Sequence, residues 1–494
     1  MSDLARKTVN GATLNVAVTL FKNVLQLAIL LPILARLISP AEFGYVGMAM
    51  TFVAAFTMFN DLGISAALVR DDAPSPAFWS SAFWTNIGLG VTVATATYFA
   101  APAIAAFYKQ PIVEPLTEVL AVILLMHCAF LVPMAWLQRN FRFGAIALIE
   151  FASTLVSAVV VIVMALQGYG VWALVAQQIS LYVVKLAGAF TFQRAPIRLT
   201  YKFSEIAAVL PFSLRLTGEA FITFVNRKAD SILVGRFLGA APLGFYDRAY
   251  QIMLVPVSSL SLGAGFALYP AMSSIKHETE RLKLVYLKSI SVLGGVAIPM
   301  MAGLALVSEP FVALVFGPDW KPVVPVLSIL AFAGVIQTLS GPSNVLWKSL
   351  GKSDVLLYWV IARMCAFLIA FAIGIHLGSI TALSAAYLIA NVAMYLPYQV
   401  QTLRYMKMPI MDYVRVMAPT VISTLGMAAA ILALQEYVPQ IAKLPSYGQL
   451  AVLVPAGVAA FLTCMLALFR PFVRELISEA RELFDRKPKS APAE

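Results

Sequence analysis

Charge is scarce in this sequence. Asp, Glu, Lys and Arg make up 12% of its 494 residues, about half the share of an ordinary soluble domain. Hydrophobic residues make up 61%. A soluble fold cannot hide that much apolar surface, so the composition implies an integral membrane protein. Cysteine and histidine are equally sparse, with three of each. Cys128, Cys365 and Cys464 all lie in apolar runs, which excludes a disulfide framework or a cysteine metal site. His127, His277 and His376 are far apart and have no ligand spacing. No glycine-rich phosphate loop and no external loop longer than about fifteen residues interrupts the apolar runs, which argues against the enzymatic chemistry of a membrane polymerase or ligase. The start, MSDLARKTVNGATLN, lacks a cleavable signal pattern, and the first apolar run is expected to stay as a helix.

What is present is a series of long apolar runs. A spanning helix needs about 20 mostly apolar residues. Fourteen runs qualify, at approximately 11–37, 43–68, 77–101, 116–138, 143–167, 171–193, 206–237, 242–272, 284–316, 322–348, 354–376, 379–403, 413–436 and 450–472. They read as helices, because lipid forces backbone groups to pair within the segment. A β-barrel would show alternation instead. The expected fold class is therefore an all-α polytopic membrane protein with about 14 transmembrane helices. Of the 35 Lys and Arg residues, 22 fall on the N-terminal side of the membrane, five on the other side and eight within spans. The positive-inside rule then puts both termini in the cytoplasm. The net charge of +11 is a topology signal and no nucleic-acid patch. The tail from Arg470 reads as a solvated cytoplasmic helix.

The chain repeats itself. ARLISPAEFGYVGMAM from Ala35 and GRFLGAAPLGFYDRAY from Gly235 align without a gap, pairing Arg36 with Arg236, Ala41 with Ala241 and Gly44 with Gly244. LGISAAL from Leu62 meets LGAGFAL from Leu262 at the same offset, and two further blocks follow in order. Spans one to four thus correspond to spans seven to ten. Six spans separate the copies, an even number, so both face the same way: a parallel repeat with its axis along the membrane normal. The expected organisation is an N-lobe over 1–194, a cytoplasmic linker over 195–204, a C-lobe over 205–404, two further helices within 405–472 and a tail over 473–494.

Span seven carries the densest intramembrane polarity. At 100° per residue, Arg215, Glu219, Thr223, Asn226 and Asp230 fall within about 80°, with Arg227 beside them. Span one repeats the design with Asn15, Thr19, Lys22 and Gln26. An Arg, Lys or Asp at mid-helix costs roughly 2.5–3.5 kcal/mol on insertion scales, which asks for a purpose. Lys22, Lys185, Arg215, Arg227 and Arg363 are the deep basic candidates; Glu150, Glu219 and Asp230 are the deep acidic ones. Internal pairing, Arg215 with Glu219 and Arg227 with Asp230, is the bland reading. It leaves Lys22 without an acidic partner on its own helix, and a wet cavity receiving an anion accounts for Lys22 better. Glu219 and Asp230 are candidates for coupling to Na⁺ or H⁺, with a plain counter-ion role as the alternative. No other cofactor is expected.

The run ADSILVGRFLGAAPLGFYDRAYQI from Ala229 resembles the signature region of the polysaccharide transport family, which includes the Wzx-type flippases. These belong to the multidrug/oligosaccharidyl-lipid/polysaccharide exporter superfamily. GATLN near the start, RLISPAEFGYVGMA and YPAMSSIKHE extend the resemblance over nearly the whole chain. It implies two six-helix bundles forming a V around a cationic cavity, with two C-terminal helices lining a lipid groove by analogy with the lipid II flippase. It also implies the cargo: an undecaprenyl-diphosphate-linked oligosaccharide, carried across a bacterial inner membrane, with membrane lipids, a polysaccharide polymerase and export machinery as partners. Lys22, Arg215, Arg227 and Arg363 would meet the diphosphate. Asn15, Gln26, Thr223 and Asn226 would hydrogen-bond sugars. The rival readings are a drug or organic-cation antiporter of the same superfamily, which needs an acidic cavity, and a membrane polysaccharide polymerase or ligase. Charge reversal separates the first rival. Lys22→Glu and Arg215→Glu should each block a carrier of anionic cargo, read as accumulation of its lipid-linked precursor in cells; an exporter of cations would tolerate both.

Overall fold

The computed structural model describes residues 18–19, 21–57, 63–70, 74–207, 224 and 228–470. All regular structure among them is helical. Ten helices among the described residues are long and apolar enough to cross a membrane. A bent pair, Phe21–Leu37 with Pro40–Thr57, raises the number to eleven when taken as one span. Most of the predicted seventh span lies outside the described residues. So do the predicted tail helix and the site candidates Asn15, Arg215, Glu219, Thr223, Asn226 and Arg227.

The chain divides into two compact units. The first comprises residues 1–248 with 315–320 and 375–380. Its helices are α1 (Leu31–Leu37), continuing a π-helical turn over Leu25–Leu30, α2 (Pro40–Thr57), α3 (Ile64–Arg70), α4 (Pro76–Tyr108), α5 (Val113–Leu120), α6 (Val122–Arg139), α7 (Phe143–Leu166), α8 (Val171–Phe192) and α9 (Phe203–Ala207). Residues 228–237 are helical as well. Local chemistry at the joints sets where these helices begin and end. Between α1 and α2 the chain bends by 114°. Ser39 and Glu42 form a reciprocal cap there: the Ser39 N–H donates to Glu42 Oε2 at 2.8 Å, and the Glu42 N–H donates to Ser39 Oγ at 3.4 Å. Pro40 starts α2 where its missing N–H costs nothing. The other oxygen of the same carboxylate, Glu42 Oε1, accepts from the Val171 N–H at 3.0 Å and so caps α8. Gly170 leaves room for it, at a φ of +52° that also favours glycine.

The repeated stretches meet each other. A Cβ on Gly44 would overlap the carbonyl of Ala240, and a Cβ on Gly244 would overlap the carbonyl of Pro40. Pro40 and Ala240 are themselves repeat partners. Each copy thus places its glycine on the first turn of the other, as a local two-fold relation requires. Small residues permit this close backbone approach without side chains between. The shared motif of the two copies is the point at which they touch.

The second unit comprises 249–314, 321–374 and 381–494. Helix α10 (Ala240–Ser274) enters it from the first. It contains α11 (Thr279–Leu306), α12 (Ser308–Val315, all but its last residue), α13 (Val323–Ser349), α14 (Ser353–His376, all but its last two residues), α15 (Ile380–Tyr405, all but its first residue), α16 (Ile410–Tyr437), α17 (Pro439–Ala442) and α18 (Ser446–Leu468). Several of its buried polar side chains pair across helices, where lipid offers no partner. The Ser343 hydroxyl on α13 donates to Gln399 Oε1 on α15 at 3.0 Å and meets the Tyr286 hydroxyl of α11 at 2.9 Å. Trp347 Nε1 donates to Thr402 Oγ1 at 3.1 Å. Helices α16 and α18, the predicted thirteenth and fourteenth spans, pack on each other and on α11, with Met427 and Ile431 in a shared core with Ala302 and Leu453. Gly44→Ala and Gly244→Ala should each lower the stability of the purified protein by about 1–3 kcal/mol, because the added methyl must push the facing backbones away from each other. Thermal unfolding in detergent checks this, with Gly144→Ala, in open space, as the neutral control.

Candidate functional site

Three deep charges singled out in the sequence come together in the first unit. Glu150, seven residues into α7, accepts from Lys22 Nζ through Oε2 at 2.6 Å. Its Oε1 is 2.7 Å from Lys185 Nζ, seven residues before the end of α8. Lys22 is therefore not the open ammonium its own helix suggested; its partner comes from a helix 128 positions away in the chain. Two ammoniums share one carboxylate, and the cluster keeps a net charge of +1. The side chains are 36%, 22% and 16% exposed for Lys22, Glu150 and Lys185, so the cluster is neither sealed nor free. Phe21 and Phe151, the neighbours of Lys22 and Glu150, pack their rings 4.9 Å apart and hold the two helices in register. Lys185 also sits 6.0 Å from the Phe130 ring centroid. Each ammonium has three donors and gives one to Glu150, which leaves donors for a second anion.

A cavity of about 290 Å³ lies in the same unit, with Gln26, one turn after Lys22, in its lining. Its polar lining comprises Gln26, Gln177, Gln178, Lys228, Asp247 and Arg248; the remaining wall is almost wholly apolar. The Arg248 guanidinium lies 4.8 Å from the Phe43 ring centroid. Asp247 Oδ1 accepts from the Ser231 hydroxyl at 2.9 Å. Asp230 is buried nearby: Oδ1 accepts from the Ser231 N–H at 2.7 Å and Oδ2 from the Tyr246 hydroxyl at 2.9 Å.

The predicted site residues are thus distributed as follows. Lys22 and Gln26 share a helix face, Lys22 in the charge cluster and Gln26 in the cavity. Asp230 is buried on its own hydrogen bonds. Arg363 belongs to the second unit, on α14, with its guanidinium 6.0 Å from the Tyr398 ring centroid. Gln177, Gln178 and Lys228 were not anticipated. For the two glutamines a signal exists: adjacent amides interrupt the apolar run VWALVAQQISLYVV of the sixth span. Among the described residues, no group of His, Cys, Asp and Glu is arranged to hold a metal ion.

The sequence profile of polysaccharide biosynthesis proteins matches residues 33–325. The chain belongs to that family. Similar curated proteins include the succinoglycan biosynthesis transport protein ExoT of Rhizobium meliloti, 27% identical over 94% of this chain and 93% of the relative. The lipopolysaccharide biosynthesis protein WzxC of Escherichia coli is 26% identical over 79% of each. The teichuronic acid biosynthesis protein TuaB of Bacillus subtilis is 27% identical over 68% of this chain and 70% of its own. Among solved structures, the lipid II flippase MurJ in an inward closed conformation covers 92% of this chain and 99% of its own at a TM-score of 0.73, with 13% identity. An inward-facing multidrug transporter of the exporter superfamily covers 78% of this chain and 94% of its own at 0.62, with 15% identity. These likenesses give the fold: the all-α architecture of the multidrug/oligosaccharidyl-lipid/polysaccharide exporters. The chain is a multi-pass membrane protein of the polysaccharide biosynthesis family.

Neutralising the central carboxylate tests the cluster. Glu150→Gln leaves two ammoniums facing one another, and should cost about 1–3 kcal/mol, between the values for exposed and buried pairs. The same variant should bind inorganic pyrophosphate more tightly than the parent. Thermal unfolding with and without pyrophosphate measures both.

Proposed function

We propose that the chain flips an undecaprenyl-diphosphate-linked oligosaccharide, a repeat unit of an exopolysaccharide, capsule or O-antigen, from the inner to the outer leaflet of a bacterial inner membrane. The observation that carries the reading is the Lys22–Glu150–Lys185 cluster. Two cations on one carboxylate, about 10 Å inside the ends of α7 and α8, keep a positive charge where lipid disfavours any charge at all. A purely structural pair would be neutral. A site that must receive a diphosphate gains from the surplus, and lysine serves such a site as a point charge. The relatives named for succinoglycan, lipopolysaccharide and teichuronic acid biosynthesis support the cargo class.

Alternating access moves the head group while the polyprenyl tail stays in lipid. Outward movement of the diphosphate is favoured by the membrane potential, about 2.3 kcal/mol per charge per 100 mV. With both termini in the cytoplasm, the cargo enters from the side where it is assembled and is handed to a polymerase and export machinery on the other. Arg215, Arg227 and Arg363 remain candidates for binding phosphate, and Asn15, Thr223 and Asn226 remain candidates for binding sugar. Coupling to H⁺ or Na⁺ would act through Glu219 or Asp230. Asp230 is held by one backbone N–H and one tyrosine hydroxyl, bonds that a proton or cation can replace. Deleting the gene should stop surface polysaccharide and accumulate the lipid-linked precursor on the cytoplasmic leaflet. Purified protein in vesicles should translocate that precursor without making or breaking a glycosidic bond; new glycosidic bonds would refute the reading.

A further inference from the structure

We infer that the cavity of the first unit is a subsite for a single sugar ring, the one attached to the diphosphate; this rests on the flippase reading above. The cavity's volume of about 290 Å³ lies at the small end of ligand pockets, roughly 300–1,000 Å³. It is too small for an oligosaccharide and suits one ring. Its chemistry suits a polyol. Gln26, Gln177 and Gln178 bring three amides into it, each with donors and acceptors on neighbouring atoms, the pattern that vicinal hydroxyls present. Among the described residues none of these three side-chain amides is engaged by a protein group. An amide left unpaired inside a membrane helix is costly. Three of them turned into one cavity imply that something polar enters it. The charged lining is mixed, Lys228 and Arg248 with Asp247, and the Asp247 carboxylate would repel a second phosphate, which a neutral ring avoids.

The cavity is also at the right place relative to the charge cluster. Gln26 follows Lys22 by one helical turn, about 5 Å, on the same face. On α8, Gln178 precedes Lys185 by seven residues, two turns and about 10 Å, again on the same face. On both helices the amide shares a face with the ammonium, one turn away on the first and two turns away on α8, with the ammoniums joined by Glu150 and the amides around the cavity. A phosphate held at Lys22 and Lys185 would leave the ring bonded to it within reach of the amides. Charge recognises the carrier, and amides recognise the sugar beside it.

The test uses the full chain in detergent or nanodiscs and two probes, inorganic phosphate and glucose 1-phosphate, with galactose 1-phosphate as a second hexose. Dissociation constants come from ligand-observed NMR. At least one hexose 1-phosphate should bind about tenfold more tightly than phosphate, the worth of one or two net hydrogen bonds. The double variant Gln177→Leu/Gln178→Leu should remove that gain and leave the phosphate affinity unchanged. Gln26→Leu, on the opposite helix, repeats the test should the double variant fold poorly. Equal affinities for phosphate and both hexose phosphates, or a gain that survives the amide substitutions, would overturn the subsite. Neither result bears on whether the lipid-linked precursor accumulates on gene deletion, so the flippase reading stands or falls separately.

Discussion

An unpaired charge inside hydrocarbon costs several kcal/mol, and the fold has to answer for each one it keeps. Glu150 answers for two. Placed on α7 between the helix of Lys22 and α8, it takes an ammonium on each carboxylate oxygen. The remaining architecture of the first unit serves that meeting. Phe21 and Phe151 fix the pairing of the helices next to the charges. Glu42 turns the chain between α1 and α2 and caps α8 with the same carboxylate, so the helix carrying Lys185 and the helix following Lys22 are tied at one end. Glu42 and Glu150 each join separate elements, which is economical where every polar group must find a partner.

The close approach at Gly44 and Gly244 supplies the second constraint. Two helices without side chains between them at one point cannot slide or separate gradually there without losing the contact. The crossing holds the N-terminal turns of α2 and α10 together while the cavity opens beside it, lined by Gly47 and Met50 from one helix and by Asp247 and Arg248 from the other. An internal repeat that touches itself through its own shared motif explains why the motif is repeated at all. The interface needs glycine on both sides, at equivalent positions.

Much of this was legible in the sequence because lipid imposes simple rules. The boundaries of α4, α7, α8, α13, α14, α15 and α16 follow from apolar length, most of them within a few residues of their predicted spans. The break inside the ninth run, at Val307 between α11 and α12, carries a local signal, Ser308, Glu309 and Pro310 directly after it, but the apolar stretches on either side read together as one run. The site was legible residue by residue and not as pairs. Lys22, Glu150 and Lys185 each stood out as charges in apolar runs, yet they lie on three different helices. Helical periodicity relates only residues on one helix, so Lys22 looked unpartnered. Gln177 and Gln178 stood out less. An amide in a membrane helix is cheaper than a charge, and for that reason it is a quieter signal.

If the chain is the diphosphate carrier proposed above, it differs from a receptor in having to let go. A pair of free ammoniums in low dielectric would hold a diphosphate too firmly to release it. Glu150 moderates them. In the empty site it satisfies both lysines, which keeps the cluster stable enough to sit within the membrane. When an anion arrives, the carboxylate competes for the same donors, so the net attraction is that of one surplus charge and not of two. Catalysed movement across a bilayer needs binding strong enough to capture and weak enough to leave, and the number of carboxylates per cation is the variable that sets this balance. A cluster with two carboxylates would reject the diphosphate. A cluster with none would trap it. On the proposed flippase reading, the two-to-one ratio seen at Glu150 is the intermediate case, and it would account for a residue of the cargo's own sign at the centre of the cluster.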